Sequence, residues 1–246
     1  MKFIRKIVKP QVKEDEDFYV SIKKLLGFRP KNINYYKTAF IHRSKKVLDE
    51  NGNPINYERM EFLGDAMLGS VIAAFLFKMV PDGNEGYLTQ MRSKIVSRNQ
   101  LNSLGKELGL IQFVKSTISK NRMGENIYGN IFEALIGAIY LDKGYRYCEK
   151  FIDKRVINTF VDIPSLENKI TSYKGIIIEW CQKTKKHLEF QSYEDSGNEN
   201  IRHYSVKLLI ENKIVSKGRA TSKKKAEEIA SRRIYFVYQN EIKNLL

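Results

Sequence analysis

The 246 residues carry 43 basic against 28 acidic side chains, a formal charge of +15, and 42% of them are hydrophobic. That apolar share supports a packed core in one large domain or two small ones, and the basic excess selects a polyanionic partner, either nucleic acid or an anionic membrane surface. Cys148 and Cys181 lack metal-ligand spacing, which excludes a thiolate metal cage and points to a reduced, cytoplasmic setting.

In chain order, residues 1–17 read as a loose arm, first basic and then acidic. The opening Met1-Lys2-Phe3-Ile4-Arg5-Lys6 is too interrupted by charge for a signal peptide. Phe18, Ile22, Leu25 and Leu26 have helical spacing, closed by Gly27-Phe28-Arg29-Pro30. A short helix follows over 34–40, and a loop over 49–54. A long helix is predicted over 57–80, with a break at Pro81-Asp82-Gly83. The longest apolar run, near Val71 to Phe77, is too short to span a bilayer, so nucleic acid ranks ahead of a membrane. Further helices are predicted over 88–97, 99–108, 127–141 and 146–160.

The pattern changes near Asp162-Ile163-Pro164-Ser165. A helix over 168–184 is followed by three strands, 189–194, 202–211 and 213–220. Tyr204, Val206, Leu208 and Ile210 alternate along the second. A last helix covers 222–238. The expected architecture is an all-α domain followed by a small α+β domain of α-β-β-β-α order, divided as 1–17, 18–162 and 163–246. Both parts are basic, with net charges of +9 before Ser165 and +6 from it onward.

Against this background the acids of Asn56-Tyr57-Glu58-Arg59-Met60-Glu61-Phe62-Leu63-Gly64-Asp65 stand out. Glu58, Glu61 and Asp65 are spaced i, i+3 and i+7, which puts them on one face of a helix. Carboxylates stacked at the start of a buried helix repel one another and lose hydration. A hard divalent cation is the natural compensation, and an amphipathic helix with its acids in water is the plainer reading. A second patch, Asn130-Ile131-Phe132-Glu133, interrupts the apolar helix over 127–141. Taken alone, Glu133 reads as a satisfied carboxylate on a buried helix. His42, His187 and His203 are scattered and do not form a paired acid–base site.

The Glu58–Asp65 segment resembles the signature of ribonuclease III, the endonuclease that cuts double-stranded RNA, and the second patch resembles that family's other acidic helix. The resemblance covers about residues 18 to 240. It implies metal ligands at Glu61, Asp65, Asn130 and Glu133, with accessory acids at Glu58 and Glu85. Asn130 departs from the family, which has an Asp there; an amide offers an oxygen without a charge. Phe62 matches an aromatic that packs into a partner subunit, with ordinary core packing as the alternative. The C-terminal pattern resembles the double-stranded RNA-binding domain. There Lys223 and Lys224 match phosphate-binding lysines at a helix N-terminus, Glu179 matches a minor-groove acid, and Asn200 replaces a frequent His.

By resemblance the chain is a homodimeric, Mg²⁺-dependent endoribonuclease, with Mn²⁺ as a possible substitute and no small-molecule cofactor. It uses water activated by the metal to leave staggered 5′-phosphate and 3′-hydroxyl ends, on precursors of ribosomal and other structured RNAs. Two rivals belong to other classes. One is a protein of the same fold that binds duplex RNA without cutting it, which Asn130 favours. The other is a metal-dependent DNA-binding or structural dimer.

Overall fold

The computed structural model describes residues 10–167, 170, 172–195 and 202–245. The chain divides into two compact units, Met1–Asn168 and Lys169–Leu246, each with its own buried apolar cluster.

The first unit is helical: α1 (Pro10–Leu26), α2 (Ile33–Ala39), α3 (Glu58–Met79), α4 (Glu85–Ile95), α5 (Arg98–Glu107), α6 (Ile127–Lys143), α7 (Tyr145–Ile152), α8 (Asn158–Phe160) and α9 (Ile163–Glu167). A π-helical turn, Asp153–Ile157, joins α7 to α8. Helix α6 is buried around nearly its whole circumference, from Ile127 to Ile139. An α-helix with no polar face must be enclosed, and α2, α3, α5 and α7 pack around it. Met60, Gly64, Leu68, Ile72 and Leu76 recur every fourth residue on α3 and form its buried stripe. By length and composition α3 could cross a membrane, a correction to the short run expected from sequence. Its stripe instead faces α6 in the core.

Two boundaries differ from expectation. Helix α1 begins at Pro10, inside the stretch expected to be a loose arm. Proline suits a first helical turn, and the acidic half of that stretch is tied down by Glu14–Lys115 and Asp15–Lys37 ion pairs, both 2.8 Å. Residues 163–167, expected in the second domain, form α9 and pack on α4. Lys94 Nζ caps α9 by donating to the Leu166 and Glu167 carbonyls at 2.9 and 3.1 Å.

The second unit contains α10 (Tyr173–Lys183), strands β1 (Leu188–Asp195), β2 (His203–Ile210) and β3 (Lys213–Ala220), α11 (Lys223–Val237) and α12 (Gln239–Leu245). The sheet is antiparallel in the order β1-β2-β3. Helix α11 packs on β2 and β3, and α10 packs on α11. The β2–β3 turn is Glu211-Asn212, both with positive φ, 51° and 61°. That geometry matches the twist of a two-residue hairpin. Trp180, Ile177, Leu208 and Ile234 fill the core. Helix α12 was not expected from sequence; it holds a single buried anchor, Ile242.

Helices α3 and α6 meet at Gly64 and Gly137. A Cβ on Gly64 would lie 1.7 Å from the Glu133 carbonyl oxygen, and one on Gly137 would lie 2.3 Å from the Met60 carbonyl oxygen. Both obstacles are backbone, so relief requires the helices to separate. Gly64→Ala is expected to destabilise the helical unit by at least about 2 kcal/mol. The chain has one tryptophan, Trp180, in the second unit. Far-UV circular dichroism should therefore show an earlier helical transition while the tryptophan fluorescence transition stays in place. An unchanged helical transition would show that the crossing tolerates a methyl group.

Candidate active site

The glycine crossing also assembles the acids. Glu61 and Asp65 flank Gly64 on α3, and Glu133 supplies the α6 carbonyl that Gly64 touches. Glu133 is 5% exposed. Its carboxyl is pushed up to about 7, first by burial and then by the charges of Asp65 and Glu61, against the opposing pull of Arg98. Glu61 is half-buried, and burial followed by the charges of Glu58 and Asp65 raises it, while Arg98 and Arg43 oppose. Both shifts point upward because burial disfavours the charged form and, after that, each carboxylate lies in the field of the others.

Asn130 lies one turn before Glu133 on α6. Arg98, the first residue of α5, donates from Nη1 to Asn130 Oδ1 at 2.6 Å and lies 3.7 Å from Glu133 Oε2. Burial raises the Tyr57 phenol, and the Asn130 side chain pulls it the other way. Glu58 is at the exposed edge, with Arg43 Nη1 at 3.4 Å and Asn56 Nδ2 at 3.2 Å. Asn56 also accepts from the Glu58 N–H at 2.9 Å and so fixes the start of α3.

Of the residues predicted for this site, Glu58, Glu61, Asp65, Asn130 and Glu133 are brought together. Glu85 is not. It begins α4, where it accepts from Thr89 Oγ1 at 3.0 Å, and its charge does not contribute to the shifts of Glu61 or Glu133. Phe62 is 80% exposed, which excludes packing in the core of its own chain. His42 is structural: Nδ1 accepts from the Ser44 N–H at 3.2 Å. Arg98 and Tyr57 were not singled out from the sequence. The available signal was a cation at a helix start, where the dipole disfavours one.

The donors are all oxygen, the chemistry of a hard cation, and the carboxylates repel one another, with Arg98 beside Glu133 and Arg43 at the Glu58 edge. That set suits a divalent ion in its chemistry. Among the described residues, however, no three acid, histidine or cysteine side chains converge as a metal cage; the positive groups beside the acids are Arg98 and, at the edge, Arg43.

In the second unit, Lys223, Lys224 and Lys225 are exposed in the first turn of α11, whose N-cap Ser222 accepts from the Lys225 N–H. Glu179 is exposed on α10, 3.4 Å from Lys183. Trp180 is buried beneath Lys186, 4.2 Å from the ring centroid, which fits the core role expected for it. Asn200 lies outside the described residues.

Comparison with known proteins follows the same division. Residues 32–160 match the family model "Ribonuclease-III-like", and 173–235 match "Double-stranded RNA binding motif". The chain belongs to the ribonuclease III family. It is 58% identical to Ribonuclease 3 of Zunongwangia profunda, over 98% of this chain and all of that one. It is also 58% identical to Ribonuclease 3 of Flavobacterium psychrophilum, over 98% of this chain and 99% of that one. The nuclease domain of the Campylobacter jejuni enzyme superposes with a TM-score of 0.51 at 27% identity, covering 57% of this chain and 96% of that domain. The family and the motif make this chain an endoribonuclease that binds double-stranded RNA.

The raised carboxyl of Glu133 makes stability depend on pH. Between about 4.5 and 7 the folded state holds a proton that the unfolded state has released, so stability falls as pH rises through that window. The charged form then costs up to about 3 kcal/mol at pH 8. Glu133→Gln removes this cost. In EDTA it should be more stable than the wild type at pH 8 and similar to it at pH 4, as read by denaturant unfolding. A loss of stability at pH 8 would mean that pairing with Arg98 outweighs burial.

Proposed function

We propose that the chain hydrolyses duplex RNA at the α3–α6 acidic cluster, with a divalent cation held by Glu61, Asp65, Asn130 and Glu133. The observation that carries this reading is a nearly buried Glu133 in the field of Glu61 and Asp65, with Arg98 as the cation beside it. Such a cluster is costly to the fold and is explained by a positive ligand. When bound, Mg²⁺, or Mn²⁺ in its place, neutralises phosphate charge and acidifies a water for attack. The products are 5′-phosphate and 3′-hydroxyl ends.

The protein's own groups divide the remaining tasks. Glu133 and Asn130 are fixed on a helix enclosed by others, which holds their oxygens in place. Arg98 orients the Asn130 amide. Glu58, at the exposed edge, borders the path of the strand. One cluster cuts one strand, so staggered double cuts need two copies. The exposed Phe62, one residue from Glu61, supports a homodimer with the clusters arranged by two-fold symmetry. The Campylobacter jejuni nuclease-domain structure is described as having a region involved in dimer formation. Glu85 is assigned to the accessory acids of that dimer.

Lys223 and Lys224 hold backbone phosphates at the N-terminus of α11, and Glu179 faces the minor groove, where 2′-hydroxyls separate RNA from DNA; Asn200, outside the described residues, is assigned to RNA binding by its place in the motif alone. Precursors of ribosomal RNA and other structured RNAs are the proposed substrates. The proposed location is the cytoplasm, in keeping with two free, buried thiols. The rival reading, a binder that does not cut, draws support from the Asn130 oxygen already engaged by Arg98.

End-labelled duplex RNA should be cut with Mg²⁺ and left intact in EDTA, and the new ends should carry 5′-phosphates. Glu133→Gln should lower the single-turnover rate by more than about 100-fold with duplex binding preserved. Binding without cutting in Mg²⁺ and in Mn²⁺ would establish the rival. Lys223→Ala with Lys224→Ala should weaken binding to all duplex sequences alike and reduce the salt dependence by about two phosphate contacts. A sequence-selective loss would contradict the phosphate role.

A further inference from the structure

Arg98 lies outside the acidic motif, on another helix. As the first residue of α5, it sets a positive side chain against the positive end of the helix dipole, which costs stability. It is nonetheless held in one place. Nη1 donates to Asn130 Oδ1 at 2.6 Å and lies 3.7 Å from Glu133 Oε2. The guanidinium also lies close to Gly129, where a Cβ would stand 3.5 Å from Nη1. The Arg98 side chain is 48% exposed. A guanidinium has five N–H donors, so anchoring through one nitrogen leaves donors at the outer edge of the acidic cluster.

Asn130 determines what this cation can do. A carboxylate at 130 would form a tight pair with the guanidinium and cancel its charge. The amide accepts the same hydrogen bond and leaves the charge uncancelled there. Glu133 offsets it from 3.7 Å, a longer separation than a close ion pair. The neutral residue at 130 and the arginine at 98 are therefore a matched couple that fixes the cation in space and keeps its field available to a polyanion.

We propose that Arg98 contacts a phosphate of the RNA strand at the nuclease site, with Asn130 and Glu133 as its anchors. This rests on the assignment of the acidic cluster as the place of cleavage. Arginine suits the task because its planar fork matches a phosphate and its charge is permanent. The contact supplies attraction where the neighbouring carboxylates repel the substrate, and it does so before any cation is added.

The test is duplex RNA binding in EDTA over a range of salt concentrations, with the full-length wild type, Arg98→Ala, Arg98→Lys and Asn130→Asp. Removing one phosphate contact should lower the slope of log K against log salt by about one in Arg98→Ala. Arg98→Lys should retain most of the slope. Asn130→Asp should lose as much as Arg98→Ala, because the new carboxylate cancels the guanidinium. Single-turnover cleavage in Mg²⁺ should fall at least about 10-fold in Arg98→Ala and recover in part with lysine. Circular dichroism controls for folding. If Arg98→Ala does not fold, Asn130→Asp carries the test alone. A wild-type slope in Arg98→Ala or in Asn130→Asp would overturn the proposal and leave Arg98 as a local partner of Glu133. The underlying assignment fails separately: Glu133→Gln cutting as fast as the wild type would move the cleavage site elsewhere, whatever the slopes show.

Discussion

The backbone contact between α3 and α6 is the constraint on which the rest of the helical unit depends. Gly64 and Gly137 let two apolar helices approach until carbonyl oxygens occupy the space of absent side chains. Burial of Leu68, Ile72, Leu76, Ile131, Leu135 and Ile139 drives that approach. The acids are carried along with it. Glu61 and Asp65 are bonded to the chain on either side of Gly64, and Glu133 is the residue whose backbone Gly64 meets. Apolar packing thus supplies the free energy that holds like charges together, and the contact that stabilises the fold is the one that strains the site.

A cluster assembled this way cannot relax by spreading its charges, because its members sit on rigid helices. It can take up a proton, accept a cation or recruit a basic side chain. The structure shows signs of the first and third. Glu133 is displaced toward neutral pH, and Arg98 reaches across from α5 to Asn130 and Glu133. Asn130 is part of the same solution, since an amide reduces the repulsion by one charge while keeping an oxygen in place. The Arg98 bond is what holds that amide in place.

The parts of this arrangement that were legible in the sequence are those encoded locally. The i, i+3, i+7 spacing of Glu58, Glu61 and Asp65, and the alternation from Tyr204 to Ile210, placed a helix and a strand close to where they occur. Helix α12 was missed because seven residues with one apolar anchor carry no period. The start of α1 was missed because the acids of its first half look solvated until Lys37 and Lys115 are seen beside them. Arg98 was missed for a similar reason: 32 residues separate it from Asn130, and a lone arginine in a basic chain has no pattern. The tightness of the Gly64 crossing depends on a partner helix that sequence spacing does not reveal. Glu85 is a motif match that one chain alone does not bring to the cluster.

The charge distribution resolves an apparent contradiction between a basic protein and an acidic centre. Screening at physiological salt confines each exposed charge to about 8 Å. An approaching RNA duplex therefore responds to the charges nearest to it, in a chain of net charge +15, among them the exposed lysines at the start of α11. Within a few ångströms of the cluster it meets three carboxylates. On the proposed assignment, affinity comes from surfaces outside the cluster, and chemistry from a place where the bare substrate is repelled. The proposed arginine contact at the rim, held by a neutral amide, softens the last step of that approach without filling the cluster with positive charge. On the same assignment a carboxylate in place of Asn130 would deepen the well for a cation and blunt the arginine at the same time, so that residue 130 would set the balance between holding an ion and admitting the strand.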